Sequence, residues 1–379
     1  MMVNAKKIAV VIPQYGLVGG AERFAYELTK RLSRNAKYDF HVFTNRWEVT
    51  SDRVTFHQVP IIKFPKFLTT VSFAYFANRK FSKKNFDLIH THDRMFNADI
   101  FTMHGIPHRM WVHDVRKKSM SLFDYATQWV EGCLINNTRC KKFSPVSILT
   151  KEKFLQEYSM DPEKIQVIHP GVDVDRFRKF DREQCRKEIR GQFNIGPADI
   201  VVLFVSMNFE IKGLDYVMSA IGKTKESYPS KKIKLIVVGK GNHKKYGMIA
   251  QKLGIKDNII FAGVQKENLE QIYLASDIFM MLSRFDTFGI TVLEAMAASL
   301  PVIISKNVGA KDLVREGKNG FVINDTNNTD MICDRIGSML HSNTRITMAD
   351  EAYNTALNNS WDCVAKKVGD IYEELLSKR

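Results

Sequence analysis

The chain has 379 residues, of which 45% are hydrophobic and 26% are charged. This length exceeds what one hydrophobic core usually organises, so two domains are expected, and the composition is ordinary for a soluble globular enzyme. No apolar run approaches the ~18 residues that cross a bilayer. The first run, Ile8 to Ile12, is too short for the core of a signal peptide. We therefore expect a cytoplasmic protein.

The net charge of +15 is concentrated in the first half of the chain. Residues 1–170 hold 26 Lys and Arg against 15 Asp and Glu, whereas residues 171–379 hold 30 against 26. A basic first half suits an anionic partner such as a phosphorylated acceptor, a lipid headgroup or nucleic acid, but a solvated basic surface has the same signature. Nucleic acid is the least favoured partner, because the sequence contains no recognised nucleic-acid-binding module.

Five cysteines are scattered along the chain: Cys133, Cys140, Cys185, Cys333 and Cys363. They form no C-x-x-C pair, and no histidine cluster accompanies them at zinc spacing. Neither a disulfide framework nor a structural zinc site is therefore predicted, and we expect buried, inert thiols.

Short apolar runs alternate with helical patterns, which predicts parallel sheets of the Rossmann type. In the first half, strands are predicted at 7–13, 40–44, 88–90 and 100–103, with an amphipathic helix at 21–32. In the second half, the predicted strands are 200–206, 234–239, 259–262, 278–282 and 301–305, with a helix from about residue 214. The restart of the pattern predicts a second βα domain.

The boundary between the two halves is predicted near residues 168–175, where Pro170 and Gly171 break both helix and strand. The first domain is therefore placed at 1–170 and the second at 171–360. The last segment, 361–379, is predicted to be an amphipathic helix. The apolar residues on one side of that helix are Trp361, Val364, Val368, Ile371, Tyr372 and Leu375.

A glycine-rich segment, residues 14–22, joins the first strand to the first helix and contains Gly19 and Gly20. Glycine lets backbone N–H groups approach an anion closely, and the helix start adds partial positive charge. The spacing differs from the G-x-G-x-x-G dinucleotide pattern, so a phosphate-binding turn and a plain strand-to-helix turn remain equal alternatives.

Two further motifs follow strands of the second half. Lys212 lies where a parallel sheet binds ligands, and its charge could neutralise a diphosphate leaving group, although a surface lysine is the alternative. Asp286 precedes Phe288 and Gly289, which lead into a helix whose first N–H groups can hold phosphate oxygens. Glu294, inside that helix, could accept hydrogen bonds from a ribose diol, because its apolar neighbours disfavour a plain surface position.

Histidines follow two strands of the first half. His104 could contact the acceptor or the sugar, or it could be a core histidine with satisfied hydrogen bonds, which is the commoner case. His90 and His92 share one face of a strand. We interpret that pair as structural or acceptor-lining residues and not as metal ligands.

In this order, the motifs resemble the family 4 retaining glycosyltransferases, which have the GT-B fold of two Rossmann-like domains facing across a cleft. The resemblance covers nearly the whole chain. Its segments are Gly19–Glu22, Asp87–His92, Ile168–Asp173, Lys212–Gly213, Asp286–Val302 with Gly309 and Asp312, and Ser360–Asp362 in a final helix that crosses back to the first domain. The run Asp99–Trp111 resembles bacterial enzymes that glycosylate the lipopolysaccharide core or other envelope glycans.

The resemblance implies transfer of a hexose from a nucleotide-sugar, usually a UDP-sugar, held by the second domain to a glycan or glycolipid acceptor held by the first. Asp286 would position the sugar, Glu294 would bind the ribose and Lys212 the diphosphate, with no metal required. His104 would lie at the acceptor or the sugar. The other implied donor contacts are Gly19 and Gly20 across the cleft, Gly241 and Val264 beside the base, and Phe288, Gly289, Ile290 and Thr291 at the helix start.

Two departures from the family bear on this site. The family has a Glu where this chain has Asp286, so the carboxylate is retracted by about one C–C bond length. The family also often pairs its lysine with an arginine, and the nearby positions here hold Asn and Ile. Lys212 would then act alone, or Arg284 or Arg176 would substitute.

Aromatic and basic residues interleave over residues 63–84. Such a helix could lie on an anionic membrane and make the protein peripheral to the inner face of the plasma membrane. A core-facing helix with a basic outer side is the favoured alternative.

Two other functions also fit the sequence: a nucleotide-sugar epimerase or hydrolase on the same fold, and a non-catalytic module that binds sugar or membrane.

Overall fold

The computed structural model describes residues 5–16, 19–82 and 86–378, which form two compact units. The first unit comprises Met1–Pro170 and Trp361–Arg379, and the second comprises Gly171–Ser360. Each unit contains a six-stranded parallel sheet with helices packed against it. This is the two-domain α/β architecture of the GT-B fold.

The strands of the first unit are β1 (Lys6–Val11), β2 (Gln14–Tyr15), β3 (Tyr38–Thr44), β4 (Arg46–Trp47), β5 (Val54–Gln58), β6 (Leu88–Thr91), β7 (Ile100–Met103) and β8 (Lys142–Pro145). The main sheet has the order β5-β3-β1-β6-β7-β8, and β2 pairs separately with β4. Strands β6 and β7 are buried along their whole length, as expected when helices cover both faces of a parallel sheet.

The helices of the first unit, up to residue 170, are α1 (Gly20–Leu32), α2 (Leu68–Ser82), α3 (His108–Met110), α4 (Leu122–Ile135) and α5 (Ile148–Glu157), with a π-helical segment at Trp111–Val115 and a 3-10 turn at Pro162–Lys164. Helix α4 begins with a capping box in which the side chain of Ser121 and the backbone N–H of Asp124 are partners. Helices α2 and α4 pack against each other.

The second unit repeats this plan with β9 (Ile200–Ser206), β10 (Ile233–Gly239), β11 (Ile259–Gly263), β12 (Ile278–Met281), β13 (Val302–Ser305) and β14 (Gly320–Ile323). Their order is β11-β10-β9-β12-β13-β14, and every pairing is parallel. All seven residues of β9 are buried, because this strand lies in the middle of the sheet.

The helices of the second unit are α6 (Asp175–Arg178), α7 (Arg182–Gln192), α8 (Leu214–Ser227), α9 (His243–Lys252), α10 (Leu269–Ala275), α11 (Ile290–Ala297), α12 (Thr329–Met339) and α13 (Ser342–Asn358), with 3-10 turns at Lys256–Asn258 and Gly309–Leu313. Helix α8 packs on α12, and α11 packs on α13. The core of this unit joins β9, β10 and β12 to the inner faces of α8 and α12.

The last helix, α14 (Trp361–Ser377), belongs to the first unit, so the predicted return of the chain is confirmed. Its apolar side is buried against α1, where the ring of Trp361 lies 5.5 Å from that of Phe24. The hydroxyl of Tyr372 lies 2.7 Å from Nδ1 of His90 on β6. Helix α14 is therefore an integral part of the core of the first unit.

The predicted strands and helices all form, most with ends shifted by one or two residues. The predictions omitted five short strands, β2, β4, β5, β8 and β14, and most of the helices outside the motifs. For residues 63–84, the favoured alternative is right over α2: Phe73, Ala74, Ala77 and Phe81 are buried in the core. The segment before it is not helical, and Phe64 there is 88% exposed.

All five thiols are free, as predicted, but only Cys140, Cys185 and Cys333 are buried, whereas Cys133 and Cys363 are half-buried. Burial raises the pKa of Cys140 to about 12.

In the part of the chain that the structure describes, every helix is too short or too polar to span a bilayer.

Candidate functional site

The functional residues predicted in the second unit gather at one edge of its sheet. Strand β9 lies between β10 and β12, so the chain winds outward through β10 and β11 and then returns to the other side of β9. This reversal of strand order creates a crevice at the carboxyl ends of β9 and β12, which is where open parallel sheets bind ligands. Lys212 follows β9, and Asp286 follows β12.

The loop that carries Lys212 is held by its own backbone and by one amide side chain. Asn208 accepts a hydrogen bond from the N–H of Ile211 through Oδ1, and its carbonyl accepts one from the N–H of Lys212. Gly213 then starts α8 with φ 71°, and a Cβ on it would lie 2.0 Å from the carbonyl oxygen of Leu282. Glycine therefore lets this loop lie directly against the end of β12.

Asp286 links this loop to the start of α11. Its Oδ2 accepts a hydrogen bond from Nζ of Lys212, and its Oδ1 lies 3.3 Å from the N–H of Phe288. Gly289, at φ 89°, precedes α11, and no side chain in the described residues caps the N-terminus of this helix. The first N–H groups of a helix lack intrahelical partners, so this end can receive an anion.

Glu294 is buried, with 5% of its surface exposed, so it is not a solvent-facing residue of α11. Its Oε1 lies 3.3 Å from Nη1 of Arg176, and its Oε2 lies 3.4 Å from the hydroxyl of Tyr273. Arg176 also pairs with Glu270. The guanidinium and the phenol on either side fix the orientation of this carboxylate within the protein.

The two residues predicted beside the base follow neighbouring strands. Gly241 follows β10, and a Cβ there would lie 2.0 Å from the ring of Phe209, so only glycine fits over that ring. Val264 follows β11 and is 50% exposed. Both residues lie at the carboxyl end of the same sheet as Lys212 and Asp286.

The remaining predicted residues lie in the first unit. Gly19 immediately precedes α1, which begins at Gly20, and its backbone is extended with φ 164°. Residues 17 and 18 of the glycine-rich turn lie outside the described residues. His104 follows β7, with Nε2 3.1 Å from Nδ1 of His92. Burial lowers the pKa of His104 to about 3, so the ring is neutral near pH 7.

The contacts identify functional residues that the sequence did not predict. They also show that Arg284 is already paired with another residue. Glu270 and Tyr273 both lie on α10: Tyr273 contacts Glu294, and Glu270 contacts Arg176, the partner of Glu294. No spacing in the sequence singles them out. Arg284, considered as a partner for Lys212, instead pairs bidentately with Asp215 at 3.0 and 2.6 Å. In the described ranges, no group of three or more His, Cys, Asp or Glu side chains is arranged to hold a metal ion.

Comparisons with known proteins agree with this architecture. The model of the family described as Glycosyltransferase Family 4 matches residues 18–176, and that of Glycosyl transferases group 1 matches residues 185–356. An uncharacterized glycosyltransferase of Methanocaldococcus jannaschii is 25% identical over 97% of this chain and 98% of its own length. A D-inositol 3-phosphate glycosyltransferase of Corynebacterium jeikeium is 26% identical over 77% of this chain and 73% of its own length.

Two solved structures share the fold over nearly the whole chain. WaaG, a glycosyltransferase involved in lipopolysaccharide biosynthesis, aligns with a TM-score of 0.77 at 20% identity, covering 96% of this chain and 99% of that one. HepE of Anabaena, solved in complex with UDP-glucose, aligns with a TM-score of 0.70 at 17% identity, covering 97% and 99%. The two family models together span both units, and the chain is a glycosyltransferase of family 4.

Proposed function

We propose that this glycosyltransferase moves a hexose from a UDP-sugar to a glycan or glycolipid acceptor of the cell envelope, with retention of anomeric configuration. The observation that carries the proposal is the contact between Lys212 and Asp286 beside the uncapped start of α11, at the reversal of strand order. A cation, a carboxylate and free backbone donors at one edge suit a sugar joined to a diphosphate.

Each group in the second unit has a separate role in this proposal. Lys212 and the N–H groups of Gly289 to Thr291 hold the diphosphate, while Glu294 accepts hydrogen bonds from the ribose diol. Asp286 accepts a hydrogen bond from a hydroxyl of the sugar. The backbone around Gly241 and Val264 contacts the base. The UDP-glucose in the HepE complex supports this choice of donor.

The charges of the site imply that ligand binding rearranges its hydrogen bonds. The site holds two cations and three carboxylates. Lys212 pairs with Asp286, and Arg176 pairs with Glu270 and Glu294. A diphosphate therefore has to compete with Asp286 for the ammonium of Lys212. When the phosphate takes that ammonium, the carboxylate of Asp286 becomes available to the sugar hydroxyl.

The chemical step transfers the anomeric carbon from the phosphate oxygen to an acceptor oxygen. In the proposed step, the acceptor hydroxyl attacks on the face that the phosphate leaves, so the configuration is retained. The bond to the leaving oxygen breaks with its electron pair, and the departing phosphate accepts the proton of the acceptor. Lys212 and the start of α11 stabilise the negative charge that develops on the phosphate. No metal is required in this proposal.

The deciding experiment is a thermal-shift screen of the whole chain against UDP-, ADP- and GDP-sugars. A ligand at 100 times its dissociation constant stabilises a protein by ~2.7 kcal/mol, so one nucleotide should raise the melting temperature selectively. Nucleotide release is then measured with and without glycan acceptors. Release that needs no acceptor would favour a hydrolase, sugar interconversion without transfer an epimerase, and tight binding without turnover a non-catalytic module.

For the attachment of the protein, we propose that the first unit contacts an anionic membrane through an aromatic surface. This surface is formed by Phe64, Phe67, Leu122, Tyr125 and Trp129, of which Phe64 is 88%, Leu122 74% and Trp129 56% exposed. The two segments meet where Nζ of Lys66 lies 5.1 Å from the ring centroid of Phe123. Exposed bases flank it at residues 63, 66 and 116–118. Aromatic and basic groups together suit the interface of an anionic bilayer.

Vesicle co-sedimentation tests this attachment. We expect the protein to sediment with phosphatidylglycerol vesicles and much less with phosphatidylcholine vesicles, and the double variant Phe64→Ser, Trp129→Ser to lose most of this binding. Ile346→Ser, which changes an exposed apolar residue of the second unit, is the matched control and should bind normally. Equal binding by all three proteins would contradict the proposed surface.

A further inference from the structure

The first unit contains a cavity to which the roles above assign no ligand. Its volume is about 380 Å³, and the residues that line it include Gln14, Arg46, Lys63, Asp93 and Arg94. These residues follow β1, β3, β5 and β6 along the chain, so the cavity lies at the carboxyl edge of the sheet. Strand β1 lies between β3 and β6, so this edge also has a reversal of strand order, where parallel sheets bind ligands.

One cation of the cavity is held in place by a buried acid. Glu131 on α4 is fully buried, and its Oε2 lies 2.8 Å from Nε of Arg94. Its Oε1 accepts hydrogen bonds from the hydroxyl of Tyr158 and the N–H of His108, both at 2.9 Å. Such a network fixes the guanidinium of Arg94 at the cavity wall, because an unpaired Glu131 would be costly at this depth.

The other two cations are exposed and lie on elements that the backbone fixes. Arg46 lies on β4, which pairs with β2 so that Arg46 stands opposite Gln14. Lys63 lies in the segment before α2 and is exposed. Arg46, Lys63 and Arg94 thus bring three cations to the wall, against the single carboxylate of Asp93. Glu131, which balances Arg94, lies behind the wall and not on it.

We infer that this cavity binds the phosphate group of a phosphorylated polyol, with the phosphate on Arg46, Lys63 and Arg94 and a neighbouring hydroxyl on Asp93. Guanidinium and ammonium groups recognise phosphate by charge-assisted hydrogen bonds. The carboxylate of Asp93, which lies 3.7 Å from Nη1 of Arg94, repels a second anion but accepts a hydrogen bond from a hydroxyl. A polyol phosphate therefore fits better than a polyphosphate. The inference rests on the proposed function, because it names the class of acceptor that the first unit holds.

Two sources could present this chemistry to the cavity: a soluble sugar or inositol phosphate, or the headgroup of a phospholipid. The glycosyltransferase of Corynebacterium jeikeium is named for D-inositol 3-phosphate, a compound of this class. Lys63, which lines the cavity, is adjacent in sequence to Phe64 of the aromatic surface, so a phospholipid headgroup is the second source to test. The shared group is a phosphate ester of a polyol.

Calorimetric titration of the whole chain tests the inference, with D-inositol 3-phosphate and unphosphorylated inositol as probes. We expect the phosphate to bind at least about tenfold more tightly than inositol, because three cations meet it. The double variant Arg46→Gln, Lys63→Gln should lose about tenfold or more of this affinity. Arg53→Gln removes a charge from the same unit at an exposed position outside the cavity and should bind as the wild type does.

UDP binding is measured in every variant, because it depends on the second unit and reports on the proposed donor site separately. In the wild type, inorganic phosphate should displace the inositol phosphate, which tests the site without any substitution. If vesicles that contain phosphatidylinositol bind more tightly than phosphatidylglycerol vesicles of the same charge, and the double variant removes that difference, the source is a lipid. Equal affinity for inositol and its phosphate with no preference for phosphatidylinositol over phosphatidylglycerol vesicles, or unchanged affinity in the double variant, would overturn the inference.

Discussion

Nζ of Lys212 donates a hydrogen bond to Oδ2 of Asp286, a residue 74 positions further along the chain. The two side chains follow β9 and β12, which are neighbours in the sheet although β10 and β11 intervene in the chain. The N–H of Arg284 also bonds to the carbonyl of Ile211 at 2.8 Å, so the two loops are joined by their backbones as well. The site therefore combines residues that only the sheet topology brings together.

Replacing Lys212 by alanine should weaken both UDP binding and transfer. We expect UDP affinity to fall about tenfold, which is about 1.4 kcal/mol, and the transfer rate to fall by about 10²-fold, because the charge stabilises the departing phosphate. Calorimetry and a steady-state transfer assay measure the two effects. Lys318→Ala, at an exposed position of the same unit, should change neither. A Lys212→Ala protein that folds and transfers at the full rate would contradict the role of Lys212 in stabilising the departing phosphate.

Replacing Asp286 by asparagine should separate binding from catalysis. The substitution removes the carboxylate that competes with phosphate for Lys212, so UDP should bind as tightly as in the wild type or a few-fold more tightly. The transfer rate should fall by about 10-fold or more, because the sugar loses its charged hydrogen-bond acceptor. Asp286→Glu should recover most of the rate. Parallel losses of UDP affinity and rate in Asp286→Asn would contradict these assignments.

Glu294 and Glu270 both pair with Arg176, which allows a matched comparison. Glu294→Gln should weaken UDP binding by about tenfold, because a charged acceptor to the ribose diol becomes neutral. Glu270→Gln removes the same charge from the same arginine but is not placed at the ribose, so its effect on UDP should be small. Calorimetric titration with UDP and uridine measures the difference. Equal losses in both variants would mean that Glu294 acts only through Arg176.

Two glycines with similar backbone angles should differ in their tolerance of alanine. Gly213 has φ 71° and Gly254 has φ 64°. A Cβ on Gly254 meets no atom within 4 Å, so Gly254→Ala should cost about 1–2 kcal/mol from the backbone alone. A Cβ on Gly213 would meet the carbonyl of Leu282, so Gly213→Ala should cost about 3–4 kcal/mol. Urea unfolding measures both, and equal costs would mean that the loop moves freely.

Stability should fall in acid because of a buried histidine in the first unit. Burial lowers the pKa of His90 to about 3, from an ordinary value of 6.5. Between these two values the unfolded chain binds more protons than the folded one, so the free energy of unfolding rises with pH through this window and is lost as pH falls. His90→Gln should remove about 1.4 kcal/mol per pH unit from that slope.

The measurement is urea unfolding at pH 5, 6 and 7. Thr102→Val is the control, because the hydroxyl of Thr102 lies 2.7 Å from Nε2 of His90 and its loss leaves the titrating ring in place. This variant should be less stable at every pH but should keep most of the slope of the wild type. An unchanged slope in His90→Gln would show that other groups cause the acid sensitivity.

The amino-acid sequence by itself determined the local elements and the order of the motifs. The continuous apolar run at 200–206 and the glycine at position 213 predicted a strand, a turn and the start of a helix, because these depend on neighbours only a few residues apart. The helical spacing of apolar residues from Trp361 onward likewise predicted the apolar side of α14.

Only the tertiary structure decided which of these residues meet. The pairing of Arg94 with Glu131, the contact of Tyr273 with Glu294, and the cavity beside Arg46 and Lys63 join segments far apart in the chain. If the strands were in another order, charged residues at the same sequence positions would be solvated surface charges. Partner choice depends on strand order and on burial, and both are set by the packing of the whole unit.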